Sequence, residues 1–337
     1  MWKKLLILCS IALFLTSCSL FRGGDEEDYS HLYFDIKLSE LASDRNAEYS
    51  SLCWYGEDLI LLPQYPSYFR SKLDQDVIFM ISKEKLSRAI KNKGKRVVEP
   101  ETIQLVNNET YKLVPGYEGF EGICYDGEFF YLTVEYNSKS NKGVLVKAKM
   151  SEDGKQLEIL NNEHLILDLP AQVFNASYES IFVYEDHIYL IYEANGIMVN
   201  QRPLVKKISK DFKTVTDLKF DHIEYRITDV TSFDETGRGW AINYFWPGDA
   251  EHYKPVESTI NSKFADANNL ESGIERIIPL IITDNQVKYD RTRSPIYIKK
   301  APRSESCNWE GIVKYGSNSF LLATDKFPHT VLRFLKK

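Results

Sequence analysis

Short apolar segments separated by turn residues recur along most of this chain. Each unit has an apolar run, a turn rich in Gly, Asp and Glu, and a second apolar run, which is the pattern of a β-hairpin. Copies of the unit span residues 50–62, 121–133, 179–190 and 310–322, and a degenerate copy spans 228–233 and 239–243. Five hairpins with one register indicate an internal repeat.

Further apolar runs follow most hairpins and predict a third and a fourth strand. The third strands are expected at 77–81, 143–148, 203–208 and 276–282, and the fourth at 102–106, 157–160, 216–220 and 295–299. Four-stranded antiparallel units in series predict an all-β chain folded as a β-propeller, with five blades. Residues 33–38 would supply the outer strand of the last unit and close the ring. Six blades remain open if 249–273 contains a degenerate unit, and a non-repetitive β-sandwich is the alternative fold.

A single helix is predicted, over residues 83–91. Ser82 is placed to cap its first turn, and Gly94 lies just past its end.

The first residues predict export. Lys3 and Lys4 precede an apolar run over 5–15, which is too short to span a membrane. The run ends in Leu-Thr-Ser-Cys, which resembles a bacterial lipobox, and an ordinary signal peptide with a chance cysteine is the alternative. The resemblance implies a signal peptide over 1–17, diacylglycerol on Cys18, a tether over 18–29 and one domain over 30–337. The protein would be anchored by lipid to the cell envelope, at the outer membrane if the host has one, because Ser19 follows the cysteine.

The balance of charges limits the kinds of molecule that the protein is expected to bind. The 42 Lys and Arg residues are outnumbered by 48 Asp and Glu residues. Apart from a cluster over 91–96 there is no basic segment, so nucleic acid is not an expected partner.

Three cysteines remain after Cys9 and Cys18, at positions 53, 124 and 307, and buried free thiols are expected. We expect a monomer.

The repeat also predicts where acidic side chains gather. Glu121 is followed fourteen residues later by Glu135, and Glu179 by Glu193 at the same spacing. Because an antiparallel hairpin brings its open ends together, each pair should lie at one end of its unit, and the innermost strands of a propeller surround the axis. The predicted axial ring consists of Ser50, Glu121, Glu179, Thr228 or Asp229, and Glu310, with Gln64, Glu135, Glu193 and Asp325 beside it.

Several carboxylates on one axis repel one another, so they either keep protons or hold a cation. Oxygen ligands without Cys or His favour a hard ion, with Ca²⁺ the first candidate and Mg²⁺ the second. Hydrogen bonding of the carboxylates to backbone amides of the neighbouring blade, and catalysis without a metal, are the alternatives.

Two long connections should emerge beside this ring, over 65–76 and 245–275. They carry aromatic and basic side chains, including Arg70, His252 and Lys254. Such a mouth could bind an anionic or sugar-like ligand, so a small molecule, a glycan or a protein is the expected partner.

The series of short motifs resembles the SdiA-regulated and esterase-like phytase propellers. It runs from Ser-x-Leu through Phe-Glu-Gly-Ile, Tyr-Glu-Ser-Ile and Thr-Asp-Val to Trp-Glu-Gly-Ile, over residues 48–337. Calcium-dependent apyrases are similar as well. The resemblance implies an axial metal with Ser50, Glu121, Glu179, Thr228 and Glu310 as ligands, although the fourth unit departs from the pattern and the longer apyrase phosphate-site motifs are missing. A cell-envelope ligand-binding or scaffold module follows, and the alternative is a calcium-dependent hydrolase of phosphate esters.

Overall fold

The computed structural model describes residues 32–137, 139–258, 260, 273–298, 307–327 and 329–337. The predicted signal peptide, Cys18 and the tether lie outside the described residues. Within them, residues 32–337 form one compact unit built almost entirely from β-strands.

The strands follow one another in antiparallel meanders. The first described strand is β1 (Leu32–Ile36). The first meander consists of β2 (Tyr49–Tyr55), β3 (Asp58–Pro63), β4 (Val77–Ile81) and β5 (Glu101–Val106). The second consists of β6 (Tyr117–Tyr125), β7 (Phe130–Tyr136), β8 (Lys142–Met150) and β9 (Gln156–Asp168). The third consists of β10 (Ser180–Tyr184), β11 (His187–Ile191), β12 (Leu204–Ser209) and β13 (Val215–Phe220).

The fourth meander consists of β14 (Arg226–Val230), β15 (Arg238–Phe245), β16 (Ile274–Thr283) and β17 (Gln286–Tyr289), with the two-residue β18 (Ile296–Tyr297) beside it. The last three strands are β19 (Trp309–Lys314), β20 (Ser319–Thr324) and β21 (Leu332–Lys336). The outer strands of the first two meanders pair in parallel, β5 with β9, and those of the next two do the same, β13 with β17.

The ring of the fold is closed by its inner strands and by its two ends. β2, β6, β10, β14 and β19 contact one another in sequence, and β19 returns to β2. The N-terminal β1 pairs antiparallel with β21, from Leu32 opposite Lys336 to Ile36 opposite Leu332. The predicted closure by residues 33–38 is therefore confirmed, and the arrangement is that of a β-propeller.

Turn chemistry sets the register of the hairpins. Gly56 adopts φ +60° in the two-residue turn between Tyr55 and Asp58, a conformation that side chains with a Cβ rarely adopt. In the second hairpin Asp126 accepts backbone hydrogen bonds from Glu128 and Phe129, which holds a longer turn. These turns fix which residues of each inner strand face the axis, because a shift of one residue would reverse every side chain.

One strand prediction is wrong. The fourth strand of the fourth meander is β17, at 286–289, rather than 295–299. β16 is ten residues long, so β17 covers only its C-terminal part and β18 pairs with Arg276 and Ile277 near its start. The apolar pattern at 295–298 does mark a pairing segment, but one attached to the other end of β16.

The predicted helix is present as α2 (Lys83–Lys91), and the Ser82 hydroxyl accepts a hydrogen bond from the Lys85 amide at 3.4 Å. Two helices that the sequence pattern did not predict are α1 (Arg70–Leu73) and α3 (Ala250–Tyr253). Four residues are too few to show a helical period. Short 3₁₀ segments occupy Arg45–Ala47, Pro66–Phe69, Thr110–Lys112 and Pro247–Asp249. Among the described helices, no segment has the length and apolar content to cross a membrane.

The core lies between the sheets, where the apolar faces of neighbouring meanders meet. Phe120, Phe130 and Leu132 of the second meander pack with Ile60 and Leu62 of the first. Cys53 and Cys124 form no disulfide and are buried as expected, whereas Cys307 is only partly buried.

Candidate functional site

The open ends of the inner hairpins meet around one small cavity on the axis. Its volume is about 90 Å³, which is several water molecules and well below the ~300 Å³ of an ordinary ligand pocket. Its lining is made of carboxyl, amide, hydroxyl and guanidinium groups: Glu48, Ser50, Gln64, Glu121, Glu135, Asn175, Glu179, Arg226, Asn308, Glu310 and Asp325. The structure thus brings together Ser50, the three ring glutamates and the partners Gln64, Glu135 and Asp325.

Arg226, the first residue of β14, supplies the positive charge at the centre of this cluster. Its Nε hydrogen-bonds Glu193, and its NH2 nitrogen lies 3.5 Å from Glu179 and 3.6 Å from Glu310. Its NH1 nitrogen lies 3.9 Å from Asp249 in the connection after β15. The side chain is only 12% exposed, so these interactions are little screened by water. One arginine therefore faces carboxylates from the third and fifth inner hairpins and from the connection after β15.

Two carboxyl pairs face each other across their own hairpins. The carboxyl groups of Glu121 and Glu135 lie close enough to shift each other's pKa, and so do those of Glu179 and Glu193. Burial, with the neighbouring carboxylates adding to it, raises the pKa of Glu121 and Glu179 well above the usual value. Burial and the nearby Glu193 raise the pKa of Glu135 to about 8. Two carboxyls in contact form a hydrogen bond only if one of them carries a proton, so the raised pKa values favour a proton shared within each pair.

The remaining lone pairs in the cluster support this protonation. Among the described residues, Glu135 Oε1, Glu179 Oε2 and Glu193 Oε2 are buried and find no N–H or O–H donor. A buried carboxylate oxygen without a donor is costly, and a proton on the neighbouring carboxyl removes part of that cost. Gln64 is one donor that does reach the cluster, from Nε2 to Glu121 Oε1 at 2.8 Å.

Thr228 and Asp229 serve a different purpose from the ring glutamates. The Thr228 hydroxyl donates to the Trp309 carbonyl at 2.6 Å. Asp229 accepts from the Ile312 amide at 2.8 Å, from the Val230 amide at 2.8 Å and from the Ser51 hydroxyl at 3.2 Å. Neither side chain lines the cavity. Thr228 and Asp229 therefore match the alternative in which polar side chains hydrogen-bond one inner strand to the next.

The other predicted mouth residues divide into near and distant ones. Asp325 accepts from the Asn308 side chain at 2.7 Å and lines the cavity, whereas Arg70 pairs with Asp76 and lines a separate groove. His252 stacks on Phe174, with ring centroids 5.0 Å apart. Lys254 is exposed at the end of α3 and has φ +43°. The connection after β15 therefore approaches the site through Asp249, which lies 3.9 Å from Arg226, while Arg70 lies outside it.

Arg226, Glu48, Asn308 and Asn175 are the site residues that sequence reasoning missed. The first three each lie two positions before the ring position of their own unit, and each of these units has a β-bulge at or next to that position. Extending the repeat alignment by two residues would have placed all three beside Ser50, Thr228 and Glu310. Glu48 adopts φ +39° and is held by Lys326, whose Nζ lies 3.1 Å from both of its oxygens.

The donor set does not match the predicted metal centre as it stands. In the described part of the chain, no group of three or more His, Cys, Asp or Glu side chains is arranged so that it could hold a metal ion. A guanidinium occupies the position expected of the cation. The axial Ca²⁺ stays a prediction from the resemblance.

Comparisons with known proteins give distant likenesses. No protein-family model matches this chain, and no curated protein matches it by sequence. One similar solved structure is a bifunctional GH43-CE protein of Bacteroides eggerthii, with TM-score 0.46, 11% identity and coverage of 89% of this chain and 34% of that one. This chain therefore spans about a third of that protein.

Two other similar structures match over nearly their full length. The soluble aldose sugar dehydrogenase of Escherichia coli has TM-score 0.43 and 10% identity, with coverage of 91% of this chain and 99% of that one. The catalytic domain of the Coprinopsis cinerea GH62 α-L-arabinofuranosidase has TM-score 0.46 and 8% identity, with coverage of 92% and 98%. Likenesses this distant identify no activity, and the propeller assignment rests on the strand pairing and the closed ring.

Proposed function

We propose that this chain is a five-bladed, lipid-anchored propeller of the bacterial cell envelope that acts as a binding module. Its ligand would be a polar, hydroxyl-rich molecule such as a glycan, held over the axial mouth. The observation that supports this proposal is the axial cluster, a small cavity in which Arg226 already pairs with carboxylates.

The size and charge of the cavity argue for binding at its rim. A volume of about 90 Å³ admits water or a few ligand atoms, so most of any larger ligand would have to lie outside it. The groups that open outward are acceptors and amides, among them Asn175 and Asp325. Hydroxyl groups of a ligand could donate to the carboxylates and accept from the amides.

The rim also presents aromatic surface. Trp246 is 51% exposed and Phe174 is 63% exposed, in connections that lead directly to Asp249 and Asn175 of the site. Exposed aromatic rings beside hydrogen-bonding groups provide the combination of apolar contact and orientation that small-ligand sites use.

The hydrolase alternative has less support. Phosphoryl transfer needs a cation that is free to offset charge on the phosphate. Arg226 is bound to the carboxylates of the site, and Arg70 is paired with Asp76. A divalent ion at the axis could supply the cation that phosphoryl transfer needs, so the activity test includes Ca²⁺.

Binding can be tested by thermal unfolding of the chain from Ser19 onward, against a panel of neutral oligosaccharides and a parallel panel of phosphate esters. We expect a neutral oligosaccharide to raise Tm, with no hydrolysis of either panel with or without Ca²⁺. Trp246→Ala should abolish the shift, whereas Ile166→Ala, an exposed apolar residue on the outer strand β9, should preserve it. Calcium-dependent release of phosphate would instead favour the hydrolase.

Anchoring is tested separately with the full chain in a bacterial host. Cys18→Ala should stop incorporation of labelled fatty acid and release the protein from membranes. Retention and labelling equal to those of the unchanged protein would refute the lipid anchor.

A further inference from the structure

We propose that the loop after α2 is a contact surface for anionic phospholipid headgroups, which holds the propeller against the membrane in which it is anchored. The proposal rests on the lipid anchor of the proposed function. It assigns a role to the basic cluster over 91–96, which neither the axial site nor the core uses.

Four cations stand close together on this loop without acidic partners. Lys91, Lys93, Lys95 and Arg96 are all exposed, and among the described residues none of them forms an ion pair. The basic residues of the preceding helix differ in this respect, since Lys85 pairs with Glu101 and Arg88 with Glu84. The loop therefore carries four unbalanced positive charges on a chain whose net charge is −6.

An exposed apolar side chain completes the surface. Val97 follows directly and is 64% exposed, the largest exposed fraction among the large apolar residues that the structure describes. Basic residues flanked by an apolar one suit a membrane interface, because the cations attract the lipid phosphates while the apolar group enters between the headgroups.

The loop is rigid and lies against the strand by which the chain enters the domain. A Cβ placed on Gly94 would lie 1.9 Å from the Asp35 carbonyl oxygen, so the backbone of the loop is packed directly on β1. Val98 donates to the Lys37 carbonyl at 2.7 Å and accepts from the Ser39 amide at 2.8 Å. The basic surface is thus fixed about 10 Å from Leu32, where the described chain begins.

The length of the tether makes this position effective. Leu32 follows Cys18 by fourteen positions. A chain of that length spans at most about 50 Å, so a lipid on Cys18 would limit the distance between the loop and the headgroups. Within that limit the attraction between the basic loop and anionic headgroups acts over about one Debye length, roughly 8–10 Å.

The test uses the chain from Ser19 onward, which lacks the lipid but retains the compact unit over 32–337. Cosedimentation is measured with vesicles of phosphatidylcholine alone and with 30 mol% phosphatidylglycerol. We expect binding that requires phosphatidylglycerol and weakens with added salt. Removing the four charges as Lys91→Gln, Lys93→Gln, Lys95→Gln and Arg96→Gln should weaken it by roughly several hundredfold, since each basic residue near an anionic surface contributes roughly fivefold.

A matched control removes four exposed basic charges elsewhere: Arg202→Gln, Lys213→Gln, Lys219→Gln and Arg291→Gln. It should bind the vesicles like the unchanged chain, and both variants should retain the original Tm. Val97→Ser should weaken binding by a smaller, salt-independent factor.

Three results would overturn the proposal: equal binding to both vesicles, equal loss in the control variant, or full competition by inorganic phosphate at constant ionic strength, which would indicate a small-anion site. None of these would affect the lipid anchor, which is tested by Cys18→Ala labelling. Conversely, loss of the anchor would leave the vesicle result standing.

Discussion

Two sets of buried carboxyls belong to the inner hairpins, and the groups that surround them differ. Asp229 is surrounded by donors, with the Ile312 and Val230 amides and the Ser51 hydroxyl all within hydrogen-bond distance. Glu135 and Glu179 are surrounded mainly by other carboxyls and share a single arginine. Burial raises the pKa of both kinds of carboxyl, but the donors around Asp229 oppose that rise and favour its charged form, whereas the carboxylates near Glu135 and Glu179 add to it. The hydrogen bonds to Asp229 stabilise the ring, whereas the net charge of the cluster around Glu135 and Glu179 can change with pH or when a ligand binds.

The largest effect is expected from Arg226→Met. Removing the guanidinium leaves several buried carboxyls without a counter-charge, which should lower the free energy of unfolding by about 3–5 kcal/mol at pH 8. The loss should be smaller at pH 5, where the carboxyls can take up protons instead. Urea unfolding at both pH values measures this. Arg88→Met removes an exposed arginine paired with Glu84 and should change stability by less than about 1 kcal/mol; a similar loss in both variants would show that Arg226 has no special part.

The second effect is a decrease of stability as the pH rises. The carboxyl pKa values in the cluster are raised in the folded state, with that of Glu135 at about 8 against a usual value near 4.5. Between these values the folded protein binds more protons than the unfolded chain. The free energy of unfolding should therefore fall as pH increases from 5 to 8, by about 1.4 kcal/mol per pH unit for each proton retained. Thermal unfolding across this range, with Tm constant or rising, would contradict the shared protons.

Isosteric amides distinguish the two sets of carboxyls. Asp229→Asn puts an NH₂ group where backbone amides donate, which should cost about 1–3 kcal/mol. Glu135→Gln gives Glu121 a permanent donor, so stability at pH 8 should be unchanged or higher and its pH dependence weaker. Both variants are compared by urea unfolding at pH 5 and pH 8. Equal losses in the two would remove the distinction drawn here.

The smallest effect is expected from Ca²⁺. A bound ion at a hundredfold excess over its Kd would stabilise the fold by about 2.7 kcal/mol. Because Arg226 and shared protons already balance the cluster, we expect a smaller rise of Tm. Glu121→Gln should reduce that rise more than Glu128→Gln, since Glu128 lies in the hairpin turn. If Ca²⁺ raised Tm by the full amount and a chelator reversed that rise, the result would support the predicted axial ion.

The sequence predicted the fold well because the fold is repetitive. A hairpin motif that recurs with one register gives both the meanders and the direction in which Glu121, Glu179 and Glu310 point. It predicted the fourth meander poorly, since the motif is degenerate there and the long β16 accepts two short partners. Four-residue helices such as α3 have no period to detect.

The centre of the site escaped prediction for a different reason. Arg226 begins the same inner strand that carries Thr228, but it lies outside the motif that defines the repeat. Its role depends on contacts with Glu193, 33 residues before it in the chain, and with Glu310, 84 residues after it. Contacts between different units are not encoded in the pattern within one unit, so the acids could be predicted and their counter-charge could not.

The pairing of β1 with β21 has a consequence for the order in which the chain matures. Arg333 of β21 bonds Asp35 of β1, which lies 298 positions earlier in the chain. β1 is synthesised before the other described strands and its partner β21 after them, so β1 stays an unpaired edge while the strands between them assemble. A product truncated before Leu332 would leave β1 and the outer edge of β20 unpaired, and such edges are free to pair with another chain. Formation of β21 is thus the step that separates a closed ring from an aggregation-prone open one.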